Sequence, residues 1–284
     1  MTPHPSYLRV FLTFARNSLV RDMTFQANFI IDGISSLSWM LMNLGFYLLI
    51  FQYTDEIGHA TGWGQHQFFV FLATTLFINS LVQTFFMLNC EEISEQIRTG
   101  RLDFALVKPI DTQFLISMHR ADWSSLVNFV FGLGLLGYSL WQLTTDPEAP
   151  LVIEAWQVVL YPVYIVCGVA ILYSLMIALS ATSIWLGRNQ SLYDFWFYIT
   201  NFSRYPMEIY QTGWGWPLWG LFTFVVPVLV VVNVPARILA QPLSPRAWWE
   251  WPLAGFALAA TLGALVASRW VFQRALLSYR SASS

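Results

Sequence analysis

Few residues in this 284-residue chain could do chemistry, and they are thinly spread. Its one lysine, Lys108, stands in LVKP, whereas a phosphate-binding loop of the form GxxxxGK followed by Ser or Thr needs a lysine directly after glycine. The chain therefore has no P-loop. His4, His59, His66 and His119 are scattered, and only His59 and His66 share a short loop, without the carboxylate and thiol neighbours of a metal site. Cys90 and Cys167 lie far apart in or beside apolar runs, where cysteine behaves as a small hydrophobe. Neither a GxSxG elbow nor an HExxH motif is present. We therefore expect no enzyme here: no catalytic residue, no metal and no cofactor bound by the chain itself.

Ionisable groups within apolar surroundings are functional candidates, because charge at membrane depth is costly. LYDFWFYITNFSRYPMEIY carries three of them, Asp194, Arg204 and Glu208. Arg204 and Glu208 stand four apart and on one helical face would pair with each other. Asp194 has no local partner. A proton relay needs acids on several helices, and the other apolar cores are almost free of carboxylates.

These residues must be positioned by membrane helices. The chain is 56% hydrophobic and 11% charged, against about 25% charged in soluble domains. A bilayer core of about 30 Å takes roughly 20 apolar residues of helix, and lipid leaves backbone groups no other partners. Alternating barrel strands are absent. With a net charge of −2 and no basic tail, no nucleic-acid partner is indicated. The sequence thus predicts an all-α integral membrane protein with crossings at about 34–52, 68–90, 114–141, 156–186, 192–210 and 252–272, residues 1–284 forming one membrane domain. Residues 6–24 read as an amphipathic interfacial helix. Arg9, Thr13, Arg16 and Asn17 line one face; Tyr7, Leu8, Phe11, Leu12, Phe14, Ala15 and Leu19 cover the other, with Ser18 out of pattern. No removable signal peptide precedes it.

Six crossings with a cytoplasmic N-terminus place eleven of the 14 basic residues inside. The loops at 53–67 and 142–155 have neither lysine nor arginine, and Arg237 and Arg246 fall outside. Both termini are then cytoplasmic by the positive-inside rule, and tryptophans such as Trp63, Trp141 and Trp156 mark the outer ends. Residues 188–251 admit two readings: 192–210 crosses and the apolar run at 217–234 is an outer re-entrant segment within 211–240, or 217–234 crosses instead. Prolines at both ends and in the middle of the second run favour the first. On the last helix, Gly255, Ala259, Gly263 and Ala267 recur every four residues, a ridge suited to close packing against another helix of the chain.

The remaining candidate is the charged stretch EEISEQIRTGRLDFALVKPI, residues 91–110. In 91–100, Ile93 and Ile97 form one small apolar face, Glu95 reaches Arg98, and Gly100 is suited to cap the helix. A cytoplasmic helix with a docking face results, and 101–110 reads as the return to the membrane. The order of elements resembles the membrane subunit of ABC type-2 exporters, in a bacterial branch. IRTGRLDFALVKPID at 97–111, FSRYPMEIY at 202–210 and VVPVLVVVNVPARIL at 225–239 carry that resemblance across nearly the whole chain.

The resemblance implies a multi-pass permease of the bacterial inner membrane, with 91–100 as a coupling helix gripped by a separate ATPase. Glu92, Ile93, Glu95, Ile97, Arg98 and Gly100 are the docking candidates. ATP and Mg would be bound by two such ATPases, and a second copy or a homologous permease would complete the path. Asn79, Gln83, Phe197, Asn201 and Arg204 are candidates to line it. Alternatives from other classes are a non-transporting membrane scaffold and a proton-coupled secondary carrier.

Overall fold

The computed structural model describes residues 6–24, 26–58, 61–147, 150–186, 190–241 and 251–279. The expectations for His4, His59, Arg188, Arg246, Arg280 and the Asp194 side chain lie outside the described residues. The long elements are helices, as lipid demands of any open span. In chain order they are α1 Tyr7–Thr24, α2 Gln26–Ile50, α3 Gln65–Arg98, α4 Arg101–Leu106, α5 Thr112–Ser117, α6 Leu126–Thr144, α7 Ala155–Ala181, α8 Gln190–Asn201, α9 Gly213–Val225, α10 Val228–Ala240 and α11 Trp251–Ser278. Five of these, α2, α3, α6, α7 and α11, are each long and apolar enough to cross a bilayer. Between α2 and α3 the chain closes a compact loop through one antiparallel bridge, Glu56–Gly64.

The bundle is organised around α7 and α10. VLVVVNVPARILA is predominantly apolar and almost wholly buried, packed against α7 and α3, with Asn233 and Arg237 its polar residues. Gly168 of α7 permits this approach, since a Cβ there would lie 2.9 Å from the Val231 carbonyl oxygen. At the start of α7, Gln157 accepts the Glu154 N–H at 2.7 Å and donates to the Ile238 carbonyl at 2.8 Å, tying the two helices at one end.

Helix α9 meets α10 at 85°, with the bend at Val226–Pro227. Proline lacks the N–H that would continue the helix. The Gly168–Val231 approach lies near the middle of α7 and the Gln157–Ile238 bond at its start, so α10 runs from mid-α7 back to that start. On either side of the segment before α9, Trp185 donates to Ser278, and Glu208 accepts from Trp63 Nε1 at 3.2 Å. Together α9 and α10 are long and apolar enough for one bent span or a re-entrant loop before α11. Of the predicted crossing at 192–210, only the part up to Asn201 is α-helical; 3-10 turns and an extended Tyr205 follow.

Two expectations are corrected. The run at 114–141 is not one helix, because Asp111 caps α5 by accepting the Phe114 N–H at 2.9 Å, and Asp122 accepts from Ser124 N at 3.1 Å and Ser125 Oγ at 2.7 Å. Two caps start two helices with a break at 118–122. The small-residue ridge of α11 does not pack closely against another helix among the described residues. Gly255, Ala259, Gly263 and Ala267 are exposed, and nothing lies within 4 Å of a Cβ on Gly255 or Gly263. Leu253, Ala257, Phe272 and Ala275 form the packed face instead.

Helix α1 docks on the break through the residue that spoils its pattern. Ser18 Oγ accepts the Ala121 N–H at 3.1 Å, and Trp123 Nε1 donates to the Ala15 carbonyl at 3.1 Å. Phe11 and Phe14 are half-buried, while Leu8, Leu12 and Met23 stay exposed for a lipid surface.

Candidate functional site

The end of the bundle carrying Arg98, Arg101, Lys108, Arg120 and Arg269 is its basic end. There the predicted separate helix at 91–100 is the last part of α3, which runs on after a π-helical turn at Gln83–Met87. Such turns insert an extra residue and leave a carbonyl for other partners; here Thr84 O accepts the Asp122 N–H at 2.8 Å. Asn89 adds two bonds to Arg120, one donated to its carbonyl at 2.8 Å and one accepted from its N–H at 3.1 Å. Gly100, at φ 70°, ends the helix in the left-handed conformation expected of its cap.

The docking candidates divide. Ile93 is only 1% exposed and Ile97 packs on the core, so the small apolar face holds α3 to its own chain. This corrects Ile93 as a surface contact. Glu92 pairs with Arg120 and, at 3.4 Å, with His119. Ser94 donates to Ser183 at 2.9 Å. Glu95 and Arg98 remain at the surface as a two-bond pair at 2.9 and 2.6 Å, next to Gly100.

The following stretch adds a further short helix, Arg101–Leu106. Helix α4 lies at the basic end with Leu102 and Ala105 buried, while Phe104 is 75% and Val107 85% exposed. Sequence reading missed both, although their i, i+3 spacing just after the capping glycine was the available signal. The chain then turns at Asp111, whose carboxylate takes both arms of the Arg269 guanidinium. Arg269 also reaches Gln113 Oε1 at 3.1 Å, and Gln113 donates to Tyr173 at 3.0 Å. Helix α5, which follows α4 after a short turn, is thereby latched to α11 and α7.

Partial burial pushes the Asp111 carboxyl up, but the Arg269 hydrogen bonds and the Phe114 N–H outweigh it and hold the group below its ordinary value. An aspartate titrates at about 3.9 when unfolded, so below that the unfolded chain binds the extra proton. Stability from Asp111 is full above this range and falls as pH drops through it. The unfolding temperature should therefore decline from pH 5 to pH 3, and less steeply in Asp111→Asn; equal slopes would refute the latch.

The second assembly is a groove of about 400 Å³ between α2, α3 and the segment after α8. Three of the five predicted path residues, Asn79, Gln83 and Arg204, line it together with Trp39, Tyr47 and Asn128. Phe197 borders it through Arg204, whose guanidinium lies 5.6 Å from its ring centre; Asn201 does not line it. The predicted Arg204–Glu208 pair does not form, because the helix ends at Asn201 and the extended backbone at Tyr205 and Pro206 breaks the shared face. Glu208 pairs instead with Arg237 of α10, both largely buried. Asn233 fixes the same junction by accepting the Met207 N–H at 2.8 Å.

Residues 37–283 match the profile of the family described as ABC-2 family transporter protein. No curated protein and no solved structure matches the chain. Several helices long and apolar enough to span a membrane, a bent helix pair before the last of them and a match over most of the sequence agree: this chain belongs to the ABC-2 family of transporter proteins.

Proposed function

We propose that the chain is the permease subunit of an ATP-driven exporter of the bacterial inner membrane, with the basic end and both termini in the cytoplasm. Membership in the ABC-2 family supports a permease that works with an ATPase partner. In this reading two ATPases bind ATP and Mg, and a second copy or a homologous permease completes the path.

The observation that carries the reading is Phe104 and Val107, apolar and 75% and 85% exposed, beside the charged Glu95–Arg98 pair. Apolar side chains ringed by polar groups at a water-facing end suit a protein contact. The docking surface thus moves from Ile93 to Phe104 and Val107, with Glu95 and Arg98 at its rim. A push on α4 would pass through Asp111–Arg269 to α11, and through Glu92–Arg120 and Ser94–Ser183 along α3. Rocking these helices would open the path past Arg204, Asn79 and Gln83.

Phe104→Asp and Val107→Asp should leave the melting temperature nearly unchanged, since both side chains are exposed. ATPase stimulation by the permease should fall by about tenfold or more, the scale of losing an interface anchor worth roughly 2 kcal/mol. Full stimulation in the double variant would defeat the docking assignment.

A further inference from the structure

The groove between α2 and α3 holds more unspent polar chemistry than a structural role needs. The side chains of Asn79, Gln83 and Arg204 make no hydrogen bond to the described residues, and the Asn128 Oδ1 atom is buried without a partner among them. Unpaired polar groups within a membrane bundle are costly and mark ligand pathways. Among the described residues, Arg204 is the one charged residue that lines the groove and no carboxylate lines it. Phe197 supports the guanidinium by cation–π contact without neutralising it. Trp39 and Leu72 supply apolar wall beside these groups. Along α2 the lining runs from Ser35 to Tyr47, about 18 Å at 1.5 Å per residue. A positive, hydrogen-bonding, partly apolar slot of that length complements an anion with an apolar part.

We infer that the groove receives an anionic amphiphile, its phosphate or carboxylate on Arg204, its hydroxyl or amide groups on Asn79, Gln83 and Asn128, and its apolar part along Trp39. This rests on the transport reading and adds a cargo class to it. Lipid headgroups and small soluble phosphates share the anionic chemistry, so the test separates them.

The full chain in neutral detergent is titrated with phosphatidylglycerol, phosphatidylcholine and glycerol phosphate, and occupancy is read by native mass spectrometry. Phosphatidylglycerol should bind about tenfold tighter than phosphatidylcholine, and Arg204→Gln should remove that preference, as expected for a charge-assisted contact. Arg204→Lys keeps the charge and should retain part of it, which separates lost charge from lost fold. Asn79→Leu with Gln83→Leu should weaken binding several-fold. Glycerol phosphate binding with the same Arg204 dependence would support the anion site and name a soluble source; phosphatidylglycerol binding alone would name the membrane. Equal binding of the two lipids, or an Arg204→Gln variant that binds like the parent, overturns the inference. The ATPase takes no part in this experiment, so its failure leaves the coupling test on Phe104 and Val107 untouched.

Discussion

Glu208→Gln should lower the stability of the chain by about 3 kcal/mol, the cost of leaving one member of a buried pair without its counter-charge. Glu208 and Arg237 are 13% and 17% exposed at their side chains, and Glu208 also accepts from Trp63. The two residues join the segment after α8, helix α10 and the α2–α3 loop, so the loss falls on a junction of three elements. Removing both charges should cost less than removing one: Glu208→Gln with Arg237→Met should recover part of the lost melting temperature. Thermal unfolding of the purified chain in detergent measures both. A double variant as unstable as the single one would show that the pair is not what holds the junction.

Ile93→Asp should be the most damaging single change at the basic end. The side chain is fully enclosed, and an unpaired carboxylate there should cost about 4 kcal/mol or more, enough to remove most folded protein. Were Ile93 a docking contact, the variant would fold normally and lose only its response to the ATPase. Yield and melting temperature, compared with Phe104→Asp, separate the cases: a large loss is expected at position 93 and almost none at 104. Normal stability in Ile93→Asp would restore Ile93 to the docking surface.

The crossings were legible because lipid forces length and apolarity into the sequence together. The bend between α9 and α10 was legible as well, since Pro227 in the middle of an apolar run cannot continue a helix. Local pairing rules failed where the chain was not helical. Arg204 and Glu208 stand four apart, yet the extended backbone at Tyr205 sends one to the groove and the other to Arg237. Ile93 and Ile97 were rightly read as an apolar face, but sequence alone does not say whether such a face meets a partner or its own chain. Asp111 and Asp122 were visible cap residues whose apolar surroundings hid the break between α5 and α6. That Asn79, Gln83 and Arg204 share one groove depends on how α2, α3 and the segment after α8 pack, which no local pattern encodes.

The central claim is that a separate ATPase grips the basic end at α4. A photo-crosslinking amino acid placed at position 104 or 107 and irradiated in intact membranes tests it most directly, with position 156 at the opposite end as control. A P-loop ATPase should be captured from 104 and 107 and not from 156. Absence of any ATPase from both basic-end positions, or equal capture from 156, would contradict it.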